Sequence, residues 1–115
     1  MSAERFVVSA LSLSLAACAG GYQNNQPFNV WLNQLDRECT YAAIGAQQVG
    51  RLIENAGSNE GTYFIDQLER MFNHRITPPR FASDVSSFLQ GRESDPGIEC
   101  VIARLPPDRP KPQIY

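Results

Sequence analysis

Between residues 27 and 105 the apolar positions of the chain recur at helical rather than alternating spacing. Phe28, Trp31, Leu32, Leu35 and Cys39 form the first stripe, and Asn25 or Gln26 ahead of Pro27 supplies its start. A second stripe, Ala42, Ala46, Val49, Ile53 and Ala56, predicts a helix over residues 41–55 that stops at Gly57. Ala42, Ala46 and Gly50 are small enough to let a neighbouring helix pack closely, with a partner-docking groove as the lesser reading. Gly57-Ser58-Asn59-Glu60-Gly61 has loop chemistry, and Thr62 is the expected cap of a third helix. There Phe64, Ile65, Leu68, Met71 and Phe72 fall within an arc of about 120°, while Asp66, Glu69, Arg70 and Asn73 take the other side. Thr77-Pro78-Pro79 restarts the chain as a helix with a capping hydroxyl and a preset φ. Phe81, Val85, Phe88 and Leu89 give this fourth stripe, which Gly91 should end.

The last segment, opening at Asp95-Pro96-Gly97, fits two readings. A helix groups Ile98, Val101, Ile102 and Leu105 but turns Cys100 aside, whereas a strand aligns Ile98, Cys100 and Ile102. The helix is preferred, because Asp-Pro is a helix start and a lone strand has no evident mate. Pro106 to Pro112 should then run as a polyproline-like tail, solvated or serving as a short recognition segment, reaching about 30 Å if free. The expected fold is all-α: a small bundle of four to five short helices with one disulfide.

Ahead of the bundle, Phe6 to Ala17 is apolar with serines and carries no charge, and Arg5 precedes it. That is the layout of an export signal, too short for a transmembrane helix. It ends in Leu15-Ala16-Ala17-Cys18, which resembles a bacterial lipobox. The resemblance implies cleavage before Cys18 and a lipid on its thiol. On this reading residues 1–17 are a signal peptide, 18–26 a lipid-anchored tether, 27–105 the helical domain and 106–115 a proline-rich tail. A polar tether this short spans only about 16 Å, so the domain should sit near the bilayer. In the bacterial sorting pattern an Asp after the cysteine favours the inner membrane. Ala19 stands there instead, which implies the periplasmic face of the outer membrane.

Export changes the reading of the remaining cysteines. In an oxidising compartment Cys39 and Cys100 should pair, stapling a domain too small to be robust on core packing alone. The single histidine, His74, and the absence of a Cys-x-x-Cys spacing weaken metal and redox readings, so no metal is expected. The formal net charge is −2 and the basic residues are scattered, which argues against nucleic acid and against a polybasic membrane patch. The lipid would therefore carry the membrane contact.

Little in the sequence points to catalysis. His74 at the end of the third helix is expected to interact with the helix C-terminus. Ser83, Ser86 and Ser87 lie on a polar helix face without a nucleophile elbow, and no glycine-rich phosphate loop follows a strand. The expectation is a non-enzymatic protein with no cofactor other than the covalent lipid and no small-molecule substrate. Trp31, Phe64, Phe72, Phe81 and Phe88 are numerous for so small a domain. Core packing is the default role for each, and a partner-binding groove that accepts an amphipathic helix is the functional alternative.

Cys18, the Leu35-to-Cys39 end of the first helix and Ile98-Glu99-Cys100-Val101 together resemble, in layout, the pilotins of type II secretion. These are small helical outer-membrane lipoproteins, stapled by one disulfide, that bind a helical segment of the secretin. The resemblance implies a membrane-anchored binding and assembly lipoprotein that holds a protein partner of a secretion or envelope complex. The alternative is a stoichiometric structural subunit of an envelope-spanning machine, such as a conjugation or type IV secretion core, with the proline tail packed on a neighbour.

Overall fold

The computed structural model describes residues 26–111, so the signal, the lipidation and nearly all of the tether expected in residues 1–26 lie outside the described residues. Helix α1 runs Gln26–Glu38 and buries Phe28, Trp31 and Leu35 on one face, with Cys39 continuing the stripe. Beyond it the Thr40 hydroxyl donates back to the carbonyls of Asp36 and Arg37, satisfying groups the helix end leaves free.

The helix expected over residues 41–55 does not form as such. The chain instead makes a two-residue-per-strand antiparallel ribbon, β1 Ala43–Ile44 and β2 Gln47–Gln48, with Ala43 opposite Gln48 and Ile44 opposite Gln47. Gly45 turns it at φ +59°, the left-handed region where only glycine is free of a Cβ penalty. Only the second half of the segment is helical, as α2 Val49–Glu54. Its first donors are taken by the preceding loop: Val49 N–H donates to the Ala42 carbonyl at 2.9 Å and Gly50 N–H to the Thr40 carbonyl at 3.0 Å. The small-residue stripe therefore dissolves. Ala46 is exposed in the ribbon turn, Ala42 is half-buried, and Gly50 is buried one element later. Ile44, not among the expected core positions, is fully buried.

Helix α3, Asn59–Phe72, starts earlier than Thr62 because Ser58 is its cap, accepting from Gly61 N–H at 3.0 Å. Thr62 donates to the Ala56 carbonyl at 2.6 Å instead. Helix α4, Pro78–Phe88, begins as expected, with the Thr77 hydroxyl accepting from Arg80 N–H at 3.2 Å. Both helices end in a Schellman arrangement whose left-handed residue is not glycine: His74 at φ 62° and Gln90 at φ 58°. Arg75 N–H reaches the Arg70 carbonyl at 2.8 Å, and Gly91 N–H reaches that of Ser86 at the same distance. Gly91 is thus not the residue that turns the chain. Its missing side chain has another use, since a Cβ there would lie 2.5 Å from Asp95 Oδ2 and 2.7 Å from Gly45 N.

The last element is helical: α5 covers Pro96–Ala103. Helix α2 packs on α1 and α3, α3 on α4, and α5 on both α4 and β1. The fold is all-α in its main elements, five short helices among the described residues with one disulfide. At the centre Trp31 stacks on Phe72 at 5.5 Å between ring centroids, and Phe28 meets Phe72 edge-on at 5.6 Å. Phe64 and Phe81 fill the neighbouring layer. No helix among the described residues is long and apolar enough to cross a membrane.

Candidate functional site

Of the five aromatic residues that sequence reasoning offers for a partner groove, four are core. Trp31, Phe64, Phe72 and Phe81 are buried, and Trp31 also donates its indole N–H to the Arg104 carbonyl at 2.8 Å. Their stripes are consumed by packing between the helices, so they form no open groove. Phe88 is different. It is 46 % exposed and lies against Tyr63, ring centroids 4.0 Å apart and planes 18° from parallel.

Tyr63 was not among the expected site residues. It sits on the edge of the α3 stripe, where sequence spacing alone does not separate core from rim. Burial pushes its phenol up from its ordinary pKa, and the nearby Asp84 and Asp66 carboxylates act in the same direction. The hydroxyl therefore stays protonated at neutral pH and donates to the Asp84 carbonyl at 3.3 Å.

Helical spacing explains what surrounds this pair. Tyr63, Asp66 and Arg70 share one face of α3, and Arg80, Asp84 and Phe88 share one face of α4. Each stripe closes an i,i+4 ion pair, Arg70 Nε to Asp66 at 2.8 Å and Arg80 Nε to Asp84 at 2.9 Å. Two stacked rings are thus rimmed by two cations and two anions along the α3–α4 seam. An apolar centre inside a charge-balanced polar rim suits a protein surface better than it suits a polyanion.

The cysteines meet as expected. Cys39 and Cys100 are bonded, with Cα atoms 5.9 Å apart, which joins the end of α1 to α5. The helical reading of residues 96–103 does not turn Cys100 out of reach, because Cys39 projects from the end of α1 toward it. Two polar ties run beside the bridge: Arg104 Nε to Glu38 Oε1 at 2.7 Å, and Trp31 to the Arg104 carbonyl. The Arg104 guanidinium holds the Glu38 carboxyl below its ordinary pKa.

A shallow open depression of about 420 Å³ lies between α2 and the start of α3, lined by Gln47, Arg51, Leu52, Glu54, Asn55 and Glu60 among others. Its walls are mainly polar and carry both signs of charge. Among the described residues no cluster of three or more His, Cys, Asp or Glu is placed to hold a metal ion.

The proline-rich segment departs from a free polyproline extension. Residues 107 and 108 form a turn, and the Arg109 side chain folds back, donating to the Pro106 carbonyl at 3.0 Å and lying 3.4 Å from His74 Nδ1. His74, expected only to sit beside the end of its helix, therefore faces the tail. Cys18 lies outside the described residues.

Comparison with known proteins adds no relative: no family model, curated protein or solved structure matches this chain.

Proposed function

We propose that the chain is a lipid-anchored, non-enzymatic binding and assembly protein of the bacterial envelope, similar in role to the pilotins. The observation that carries this reading is Leu15-Ala16-Ala17-Cys18 at the end of an uncharged apolar run, ahead of a small domain whose two other cysteines are bonded to each other. The first feature supports export and lipidation of Cys18, and the second suits an oxidising compartment. Function then lies in location. A short tether keeps the domain at the outer membrane, and attachment raises the local concentration of any partner that it binds there. The partner surface is narrower than an aromatic groove: it is Phe88 with Tyr63 and the charged rim of the α3–α4 seam.

Mass spectrometry of the native product tests the anchor, and a mature chain beginning at an unmodified Cys18, or not cut there, would remove the basis of the reading. Phe88→Glu tests the surface. Because Phe88 is half-exposed the variant should keep its fold, and envelope crosslinking should lose the dominant partner seen with the wild type. Unchanged crosslinking in a folded, lipidated Phe88→Glu protein would refute the surface while leaving the anchor intact.

A further inference from the structure

The contact between His74 and Arg109 joins the bundle to its C-terminal segment in an unusual way. A guanidinium has only donors, so Arg109 Nη2, 3.4 Å from His74 Nδ1, can hydrogen-bond to it only when the imidazole is neutral with its proton on Nε2. Among the described residues neither side chain makes an ion pair with a carboxylate. The charged residues close to them in the chain are Glu69, Arg70 and Arg75 around the end of α3, and Asp108 and Lys111 in the tail; where Trp31 packs on Phe72, the end of α5 adds Arg104, which is engaged with Glu38. Arg70 is engaged with Asp66. The remaining polar atoms of the contact, His74 Nε2 and Arg109 Nε, are buried without a protein partner. Each such group is costly to keep from water.

From this geometry we infer that His74 and Arg109 form a proton-operated latch, which holds the proline-rich segment on the end of α3 while His74 is neutral and frees it when His74 is protonated. Protonation at Nδ1 turns the acceptor into a donor and sets an imidazolium against a guanidinium at the same distance. Both the hydrogen bond and the charge balance then favour release, and the two buried donors gain water. Histidine is the side chain whose charge changes within the ordinary physiological pH range. The freed segment, rich in proline, would extend as polyproline and become available for recognition. The inference needs neither the lipid nor the partner surface proposed above.

The test is NMR of the 15N-labelled full chain from about pH 8 to about pH 5, the interval in which an imidazole ordinarily titrates. The amide shifts of Asp108 and Arg109 should move with the same midpoint as the His74 ring, and their heteronuclear NOE should fall to that of a free tail on the acid side. His74→Asn keeps a neutral acceptor and tolerates the left-handed backbone, so its tail should stay docked throughout. Arg109→Gln should loosen the tail at every pH. The latch is overturned if the tail amides share no midpoint with His74, if His74→Asn keeps the same transition, or if the Arg109→Gln tail is as rigid at neutral pH as the wild type.

Discussion

Helix α5 is held on two sides by opposite means. Toward α1 the ties are side chains: the Cys39–Cys100 bond, Arg104 on Glu38, and the Trp31 indole on the Arg104 carbonyl. Toward the β1–β2 ribbon the seam depends on missing side chains: Gly97 of α5 lies where a Cβ would meet Ile44 and the Ala43 carbonyl, Gly45 and Gly91 let the ribbon turn meet the chain between α4 and α5, and one carboxylate, Asp95, accepts from Gly45 N–H at 2.8 Å and Arg92 N–H at 3.0 Å. The first side is held by what its side chains add. The second cannot accept an added atom without moving.

The largest expected effect comes from the covalent side. Reducing the disulfide, or replacing Cys39 and Cys100 by Ser, releases a loop spanning a sequence separation of 61, and the chain-entropy model assigns this on the order of 4 kcal/mol. Urea denaturation should show that loss, and a variant as stable as the wild type would mean that packing and the polar ties already suffice.

Gly45→Ala comes next. The left-handed backbone alone costs about 1–2 kcal/mol for a residue with a Cβ, and the new methyl group would also collide with the Leu89 carbonyl. Gly45→Asn separates the two causes, since Asn tolerates the dihedral but still needs the space. Recovery of stability in Gly45→Asn would show that conformation, rather than close approach, governs this seam.

The smallest effect is electrostatic and depends on pH. Hydrogen bonds from the backbone N–H groups of Arg92 and Gly45 hold the Asp95 carboxyl below its ordinary pKa. A depressed folded-state pKa means that the stabilisation is complete above the unfolded value, about 3.9 for Asp, and is lost as pH falls through the lower folded value. Thermal melts of Asp95→Asn should therefore lie below the wild type at neutral pH and converge with it in acid. Parallel curves at all pH values would show that Asp95 acts by geometry rather than by charge.

The same contrast explains what could be read from the residues alone. The helices α1, α3, α4 and α5 were legible because bulky apolar residues repeat at helical intervals and Thr77-Pro78 or Asp95-Pro96 marks two of the starts. The ribbon was not. Ala42, Ala46 and Gly50 fit a helical stripe numerically, yet small residues bury too little surface to enforce one, and two residues per strand show no alternation to detect. The turns after α3 and α4 were hidden for a related reason: His74 and Gln90 take the left-handed position that glycine usually marks, while Gly91 is kept for contact with Asp95 and Gly45. At the candidate surface, the sequence offered five aromatics of equal standing, and only packing distinguished the four that fill the core from Phe88 at its edge.

By itself, then, the sequence determined the helical class, the main stripes and the apolar segment ending at Cys18, because each follows from spacing or composition within reach of local physics, while the pairing of Cys39 with Cys100 was expected only through the export reading. The tertiary structure decided which aromatic faces water, that Tyr63 joins it, that α5 leans on a ribbon, and that Arg109 returns to His74. Those outcomes depend on which distant surfaces meet, and the local periodicity of a chain carries no term for that.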